Sequence, residues 1–279
     1  MAGHMISCYL KENGCNVTGF ARTKSKVVDT IIGDALCFEQ LKKIILDNKY
    51  DVVVNCIGVL NQMAESDKTD AILLNSYLPH YLEEITANTN TQIVHMSTDC
   101  VFSGKTGGYR ENSIKDGETF YDRTKALGEI ENNKDITIRC SIVGPDMNYN
   151  GIGLLNWFMK QSEAINGYAR VYWTGQTTLQ LAKTIKYVTE KKISGLYNIV
   201  PNDKISKYEL LKLFNKYLRR DCLVIRENVD VMCDKSLIQT RRVDDIFEVP
   251  TYEKMIEDLA EWINEHSDLY PQYYMGEKS

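Results

Sequence analysis

The chain has 279 residues, 43% hydrophobic and 25% charged, which suits one large α/β domain or a core domain with a smaller lobe. A net charge of -5 gives no electrostatic reason for nucleic acid or an anionic membrane surface as partner. The eight cysteines are irregularly spaced and form no CxxC pair, so neither a disulfide framework nor zinc-ligand spacing is read, and a reduced, cytoplasmic protein is expected.

No apolar run reaches the ~18 residues that a membrane span needs, and no basic segment followed by an apolar stretch opens the chain. The first predicted element is a helix. Met5, Ile6, Tyr9 and Leu10 share one face, and Asn13-Gly14 stops it. Asn16 to Ala21 reads as a strand, and Ile31-Ile32 as a second that turns at Gly33-Asp34. Phe38 to Leu46 is an amphipathic helix. Asp51 to Ile57 is a β-branched run of the kind buried on both faces of a parallel sheet. Asp70 to Ala87 is helical, kinked or restarted at Pro79, and Thr91 to Met96 is another buried strand. After a glycine-rich loop, a helix is predicted over Thr119 to Glu131 and a strand over Ile136 to Val143. Further helices fall at Leu154 to Ser162, Gln176 to Glu190, Ser206 to Tyr217 and Tyr252 to Ile263. Gly195 to Val200 reads as a strand, and Ile238 to Val249 as loop. The pattern from Asp268 onward assigns nothing.

Strand and helix alternate with short connections over the first ~145 residues, which implies an α/β, Rossmann-like, doubly wound parallel sheet. We place a dinucleotide-binding domain at 1-145. Residues 146-279 form mainly a smaller C-terminal substrate-binding lobe, with some segments returning to the core sheet. Such folds open on a strand, a glycine-rich turn and a helix, and here the helix comes first, so the first strand is missing from the chain. Gly3 is then the third glycine of a GxxGxxG turn. The alternative is that Gly3-His4-Met5 is a remnant of cloning.

Three clusters carry chemistry. Tyr121 and Lys125 stand at i, i+4 on one helix face, where the ammonium would lower the phenol's pKa by Coulomb attraction and let it exchange a proton. Such a pair is also common on solvated helix surfaces. Ser97-Thr98-Asp99 follows a buried strand at its C-terminal end, the edge where open parallel sheets bind ligands. A turn or helix cap is the plainer explanation. Asn55-Cys56-Ile57-Gly58 ends another buried strand and suits a backbone lining a cofactor, or a simple exit into a loop. In addition, Arg22 follows the second strand, where an acidic residue would bind the 2′-hydroxyl of NAD. An arginine there favours a 2′-phosphate, unless it is merely exposed in a basic loop with Lys24 and Lys26.

Together these segments resemble the extended short-chain dehydrogenase/reductase superfamily, in its dTDP-4-dehydrorhamnose reductase-like branch. Ser97-Thr98-Asp99-Cys100-Val101-Phe102-Ser103-Gly104 is similar to that branch's STDYVFDG, and Gly108-Tyr109-Arg110-Glu111 to its PYxE. Tyr121 through Glu129 is similar to YGxSKxxGE, and Arg139 through Gly144 to RTSxVYG. Weaker likenesses lie at Trp173 to Thr178, Leu181-Ala182 and Gly195 to Asn198.

The resemblance implies a catalytic triad of Thr98, Tyr121 and Lys125. Tyr121 would protonate the alkoxide, Lys125 would hold the nicotinamide ribose, and Thr98 would orient the carbonyl. It implies a cofactor along Gly3, His4, Met5, Ala21, Arg22, Asp34, Ala35, Asn55, Cys56, Ile57, Gly58, Asn75, Met96, Ser97, Tyr121 and Lys125, with NADP(H) preferred over NAD(H). Ser97, Thr98, Asp99 and Trp173 would meet a nucleotide-sugar substrate, and a homodimer is compatible. No metal is expected. Cys100 stands for the usual tyrosine and Asp122 for the usual glycine. A dehydratase would carry a glutamate where Cys100 is. An epimerase needs only the same triad. A non-catalytic, NADP-binding regulatory protein, as the methionine adenosyltransferase regulatory subunit exemplifies in this branch, also stays open.

Overall fold

The computed structural model describes residues 1–219, 225–228, 232–244 and 247–273. Helix α1 (Ala2–Glu12) leads into parallel strands β1 (Thr18–Ala21) and β2 (Asp29–Ile32), then α2 (Phe38–Asn48). Next come β3 (Val52–Asn55), α3 (Asn61–Ser66), α4 (Lys68–Ala71), a π-helical stretch over Ile72–Tyr77, α5 (Leu78–Thr86) and β4 (Gln92–Ser97). A 3-10 turn (Asp99–Val101) and a loop precede α6 (Phe120–Leu127), β5 (Ile136–Arg139) and β6 (Ser141–Val143). The C-terminal part holds α7 (Leu154–Met159), β7 (Ile165–Tyr168), β8 (Val171–Trp173), β9 (Gly175–Thr177), α8 (Thr178–Glu190) and β10 (Gly195–Asn198). It continues with β11 (Ile205–Ser206), α9 (Lys207–Phe214), β12 (Ile225–Asn228), β13 (Cys233–Asp234) and α10 (Tyr252–Glu265).

The central sheet is parallel, in the order β10-β5-β4-β3, and β1-β2 forms a separate parallel pair. Helices cover both faces of the main sheet, as a doubly wound fold requires. On one face Leu41 and Ile45 of α2 and Leu78 and Leu82 of α5 pack with Ile93 of β4. On the other, Met5 and Ile6 of α1, Leu181 and Ile185 of α8, and Ile256 and Leu259 of α10 join Ile136 and Ile138 of β5. Each such side chain, fully buried, contributes about 1.5–3 kcal/mol. β10 returns from the C-terminal part to pair with β5.

Several expected elements differ in extent. The strand read over Ile136 to Val143 breaks at Cys140, because β5 pairs with β4 and β10 while β6 turns away to pair with β9. The helix read over Asp70 to Ala87 is interrupted by the π-helical stretch and restarts at Leu78, with Pro79 in its first turn, where a missing N–H does no harm. The helix read to Glu131 ends at Leu127. The valines of β3 are half-buried rather than enclosed on both faces, since β3 lies at the edge of its ladder. The seven described cysteines are free thiols, and Cys222 lies outside the described residues. Among the described residues no helix is long and apolar enough to cross a membrane.

Gly128, just after α6, fixes how closely two helical segments approach. A Cβ there would sit 1.9 Å from the Asn75 carbonyl oxygen and 3.3 Å from Pro79 Cγ. The obstacle is backbone, which cannot swing aside as a side chain can. Gly128→Ala should therefore destabilise the fold by roughly 2–3 kcal/mol in denaturant unfolding, by overpacking rather than by any effect on φ.

Candidate active site

β4 delivers Ser97 and Thr98 to the C-terminal end of the parallel sheet. The Thr98 hydroxyl caps the following 3-10 turn by accepting from the Cys100 N–H at 3.1 Å, and it donates to Asp99 Oδ1 at 3.1 Å. The Tyr121 phenol lies close to this hydroxyl. Helix α6 presents that tyrosine. Thr119 and Asp122 form a reciprocal capping box at its start, with Asp122 N donating to Thr119 Oγ1 at 3.1 Å and Thr119 N to Asp122 Oδ2 at 3.2 Å. Asp122, where the resembled motif has glycine, thus anchors the first turn of the helix that carries Tyr121 and Lys125.

Tyr121 and Lys125 are both buried. Lys125 Nζ donates to the Met96 carbonyl of β4 at 2.7 Å. Burial lowers its pKa to about 8, against the opposing pull of Glu129 and Cys56. The expectation that Lys125 lowers the Tyr121 pKa is overturned here. Burial, reinforced by Cys100, Asp99 and Asp122, raises the phenol, and the nearby Thr98 hydroxyl only partly offsets it. Desolvation of a buried phenolate outweighs a lysine that is itself turned toward a backbone carbonyl.

The structure brings Thr98, Tyr121 and Lys125 together but gives Ser97 other work. Its hydroxyl donates to Glu129 Oε1 at 2.5 Å. Glu129 in turn accepts from Arg139 Nε at 2.8 Å and Nη2 at 2.7 Å, an ion pair almost wholly enclosed, with Lys115 at 3.0 Å. Asp99 is buried. Burial raises its carboxyl against the nearby Lys207 and Lys235 and hydrogen bonds with Ser141 and Thr98. Lys207 also lies over the Trp173 ring, 5.2 Å from its centroid, which links Trp173 to Asp99. Trp173 is itself buried.

Around the ends of α1 and β3, a Cβ on Gly3 would lie 3.8 Å from Cys56 Cβ, so the first turn of α1 meets the exit of β3. No side chain caps that turn. Asn55 Oδ1 accepts from the Ile57 N–H at 3.1 Å and shapes the exit. Asn75, within the π-helical stretch, clamps the next segment from both sides: Oδ1 accepts from the Val59 N–H at 2.8 Å and Nδ2 donates to the Val59 carbonyl at 2.9 Å. Nδ2 also donates to Thr124 Oγ1 at 3.1 Å, tying this loop to α6. Gly58 lies against Asn75, where a Cβ would come within 3.1 Å of Oδ1. Ala21 closes β1 and Arg22 follows it, exposed. Asp34 Oδ1 holds its own turn by accepting from the Leu36 N–H, and Ala35 is buried beside Leu41. Met5 is in the core, and the His4 imidazole meets the Tyr270 hydroxyl at 3.0 Å, so neither side chain faces the β3 exit.

These residues fit a dinucleotide. The uncapped helix N-terminus offers free N–H groups to a pyrophosphate, and the small residue Gly3 lets it approach. Beside Tyr121, a cleft of about 340 Å³ is lined by Asn61, Gln62, Cys100, Asp122 and Lys235 among others. Lys207 and Lys235 carried no signal in the sequence, being single lysines outside any motif.

The family profile of the RmlD substrate binding domain matches residues 2–230. Among curated proteins, methionine adenosyltransferase 2 subunit beta of Xenopus laevis is 24% identical over 224 residues, covering 75% of this chain and 67% of that protein. Among solved structures, a hypothetical dTDP-4-dehydrorhamnose reductase from Sulfolobus tokodaii superposes with a TM-score of 0.76 at 21% identity, covering 90% of this chain and 95% of that one. A dTDP-4-dehydrorhamnose reductase from Bacillus anthracis, in complex with NADP, gives 0.72 at 16% identity over 88% of this chain and 99% of its own.

Proposed function

The chain belongs to the RmlD substrate binding domain family, and from that membership we propose that it is a nicotinamide-dependent reductase of a nucleotide-linked 4-keto-6-deoxy sugar, acting in the supply of cell-surface polysaccharide precursors. The observation that carries this is the juxtaposition of the Thr98 hydroxyl and the Tyr121 phenol at the C-terminal end of β4, with Lys125 buried behind them. NADP(H), when bound, supplies the hydride. Tyr121 donates its phenolic proton to the carbonyl oxygen as that oxygen becomes an alkoxide. A raised pKa keeps the phenol protonated at neutral pH, the form that reduction uses. Thr98 orients the carbonyl from the other side. Lys125 holds the ribose hydroxyls, Asn55 and Asn75 keep the 55–59 backbone in shape, and exposed Arg22 selects a 2′-phosphate.

A second reading is a cofactor-binding regulatory protein without turnover, which the likeness to methionine adenosyltransferase 2 subunit beta supports. One experiment separates the two. The chain is melted with and without NADPH and NADH, and then assayed with a dTDP-linked 4-keto-6-deoxy sugar. A ligand at a hundredfold excess over its dissociation constant stabilises the fold by ~2.7 kcal/mol. We expect a larger shift with NADPH than with NADH, and oxidation of NADPH by the sugar. A shift without turnover of any nucleotide-linked keto sugar favours the regulatory reading. No shift from a cooperatively melting chain overturns both.

A further inference from the structure

Far from the Tyr121 site, the last turn of α1 faces the end of α10. Cys8 and Glu12 stand at i, i+4 on α1, and His266 follows α10 directly. Cys8 Sγ lies 3.4 Å from Glu12 Oε1, His266 Nε2 lies 2.8 Å from the same oxygen, and all three atoms fall within 4.8 Å of one another. We infer that Cys8, Glu12 and His266 form a binding site for a borderline divalent cation of the zinc class, which clamps α1 to α10.

The state of the imidazole supports this. His266 Nδ1 lies 2.9 Å from the Trp262 carbonyl, one turn earlier in the helix. A carbonyl oxygen only accepts, so Nδ1 must carry the hydrogen. The other nitrogen, Nε2, is then directed at the Glu12 carboxylate at 2.8 Å and toward Cys8. The Nδ1–H to carbonyl bond is also the arrangement that fixes the tautomer of a metal-binding histidine. The Trp262 ring stacks on the imidazole, with centroids 3.9 Å apart, and further restricts it.

The donors suit zinc in type and spacing. With zinc–ligand distances of ~2.0–2.3 Å, the edges of a tetrahedron of sulfur, nitrogen and oxygen are about 3.3–3.6 Å. The Cys8–Glu12 separation already matches; Glu12, half-exposed on the final turn of its helix, must move about half an ångström from His266, and the Cys8–His266 edge, within 4.8 Å, closes on the cation. Cys8 is buried and Glu12 reaches solvent, so the open fourth position falls to water on the Glu12 side. On binding, the Cys8 thiol loses its proton to solvent and the thiolate takes its place on the cation. Sequence spacing hides such a site because its third donor lies 254 residues from Glu12.

The test is titration of the metal-free full chain with cobalt(II) alone. We expect one equivalent to give a near-ultraviolet thiolate-to-cobalt band together with the intense visible bands of four-coordination. Both should vanish in Cys8→Ala and in His266→Gln. Zinc in hundredfold excess over its dissociation constant should raise the melting temperature by roughly 5 °C, and not in His266→Gln. A folded chain that shows no thiolate band, or one whose bands persist in both variants because exposed cysteines carry them, overturns the proposal. If Cys8→Ala does not fold, the spectrum of His266→Gln decides alone, since that side chain is on the surface side of the cluster.

Discussion

Tyr121→Phe is expected to lower the turnover of a keto-sugar nucleotide by about 10²–10⁴-fold, while the NADPH-induced rise in melting temperature stays. The phenol is buried near the Thr98 hydroxyl, so the substitution deletes one oxygen and leaves the ring packed. Cofactor affinity should persist because Lys125, Asn55 and Asn75 are untouched. The size of the loss follows from the role. A proton donor positioned for the alkoxide acts only in the transition state, so kcat should fall and KM change little. The pH dependence has a definite sign. Lys125 is held to about 8, so its ammonium is present at neutral pH and lost as the pH rises through that value. Catalytic efficiency should therefore decline above pH about 8, well before a raised tyrosine ionises. Equal kcat values for the phenylalanine variant and the parent chain would remove Tyr121 from the mechanism.

How legible was this in the sequence? The alternation of strands and helices was readable, because hydrophobic periodicity and chain order set it, whereas Thr98, Tyr121 and Lys125 were singled out through motifs that resemble those of known reductases. The pKa of Tyr121 was not readable, since a helix-face pairing says nothing about burial or about the Met96 carbonyl that accepts the lysine's hydrogen bond. The break at Cys140 was hidden because β-branched runs lie to either side of it, at 136–138 and 142–143, and only the change of partner from β4 to β9 reveals it. Strands β8, β9, β11 and β13 have two or three residues each and owe their existence to distant partners rather than to their own pattern. The capping box of Thr119 and Asp122 went unread in the sequence, where Asp122 stood only as a departure from the resembled motif, and the structure accounts for that departure.

Arg139→Leu should cost about 3–5 kcal/mol of stability at neutral pH, the largest single loss expected outside the core. Glu129 and Arg139 sit in motifs that the resemblance to known reductases marks out. What they touch is each other, Ser97, Lys115, Asn198, Phe102 and the Glu111 carbonyl, none of which lines the cleft beside Tyr121. Removing the guanidinium leaves Glu129 buried with only Ser97 and Lys115 for partners. Burial works to raise the Glu129 carboxyl, but Arg139, Ser97 and Lys115 together hold it below its ordinary 4.5. The folded state is thus the more acidic one, and this group's contribution is present above pH 4.5 and fades as the pH falls through the depressed value. In the variant the carboxyl is no longer held down, so it protonates at higher pH and its burial penalty then disappears. The stability difference between the two chains should be widest at neutral pH and narrow towards pH 4, when both are unfolded by denaturant across that range. Replacing both partners, Glu129→Leu with Arg139→Leu, should recover much of the loss, because no lone buried charge remains. A constant difference at every pH would mean that Arg139 acts by packing against Phe102, whose ring lies 5.0 Å from its guanidinium, and not by charge.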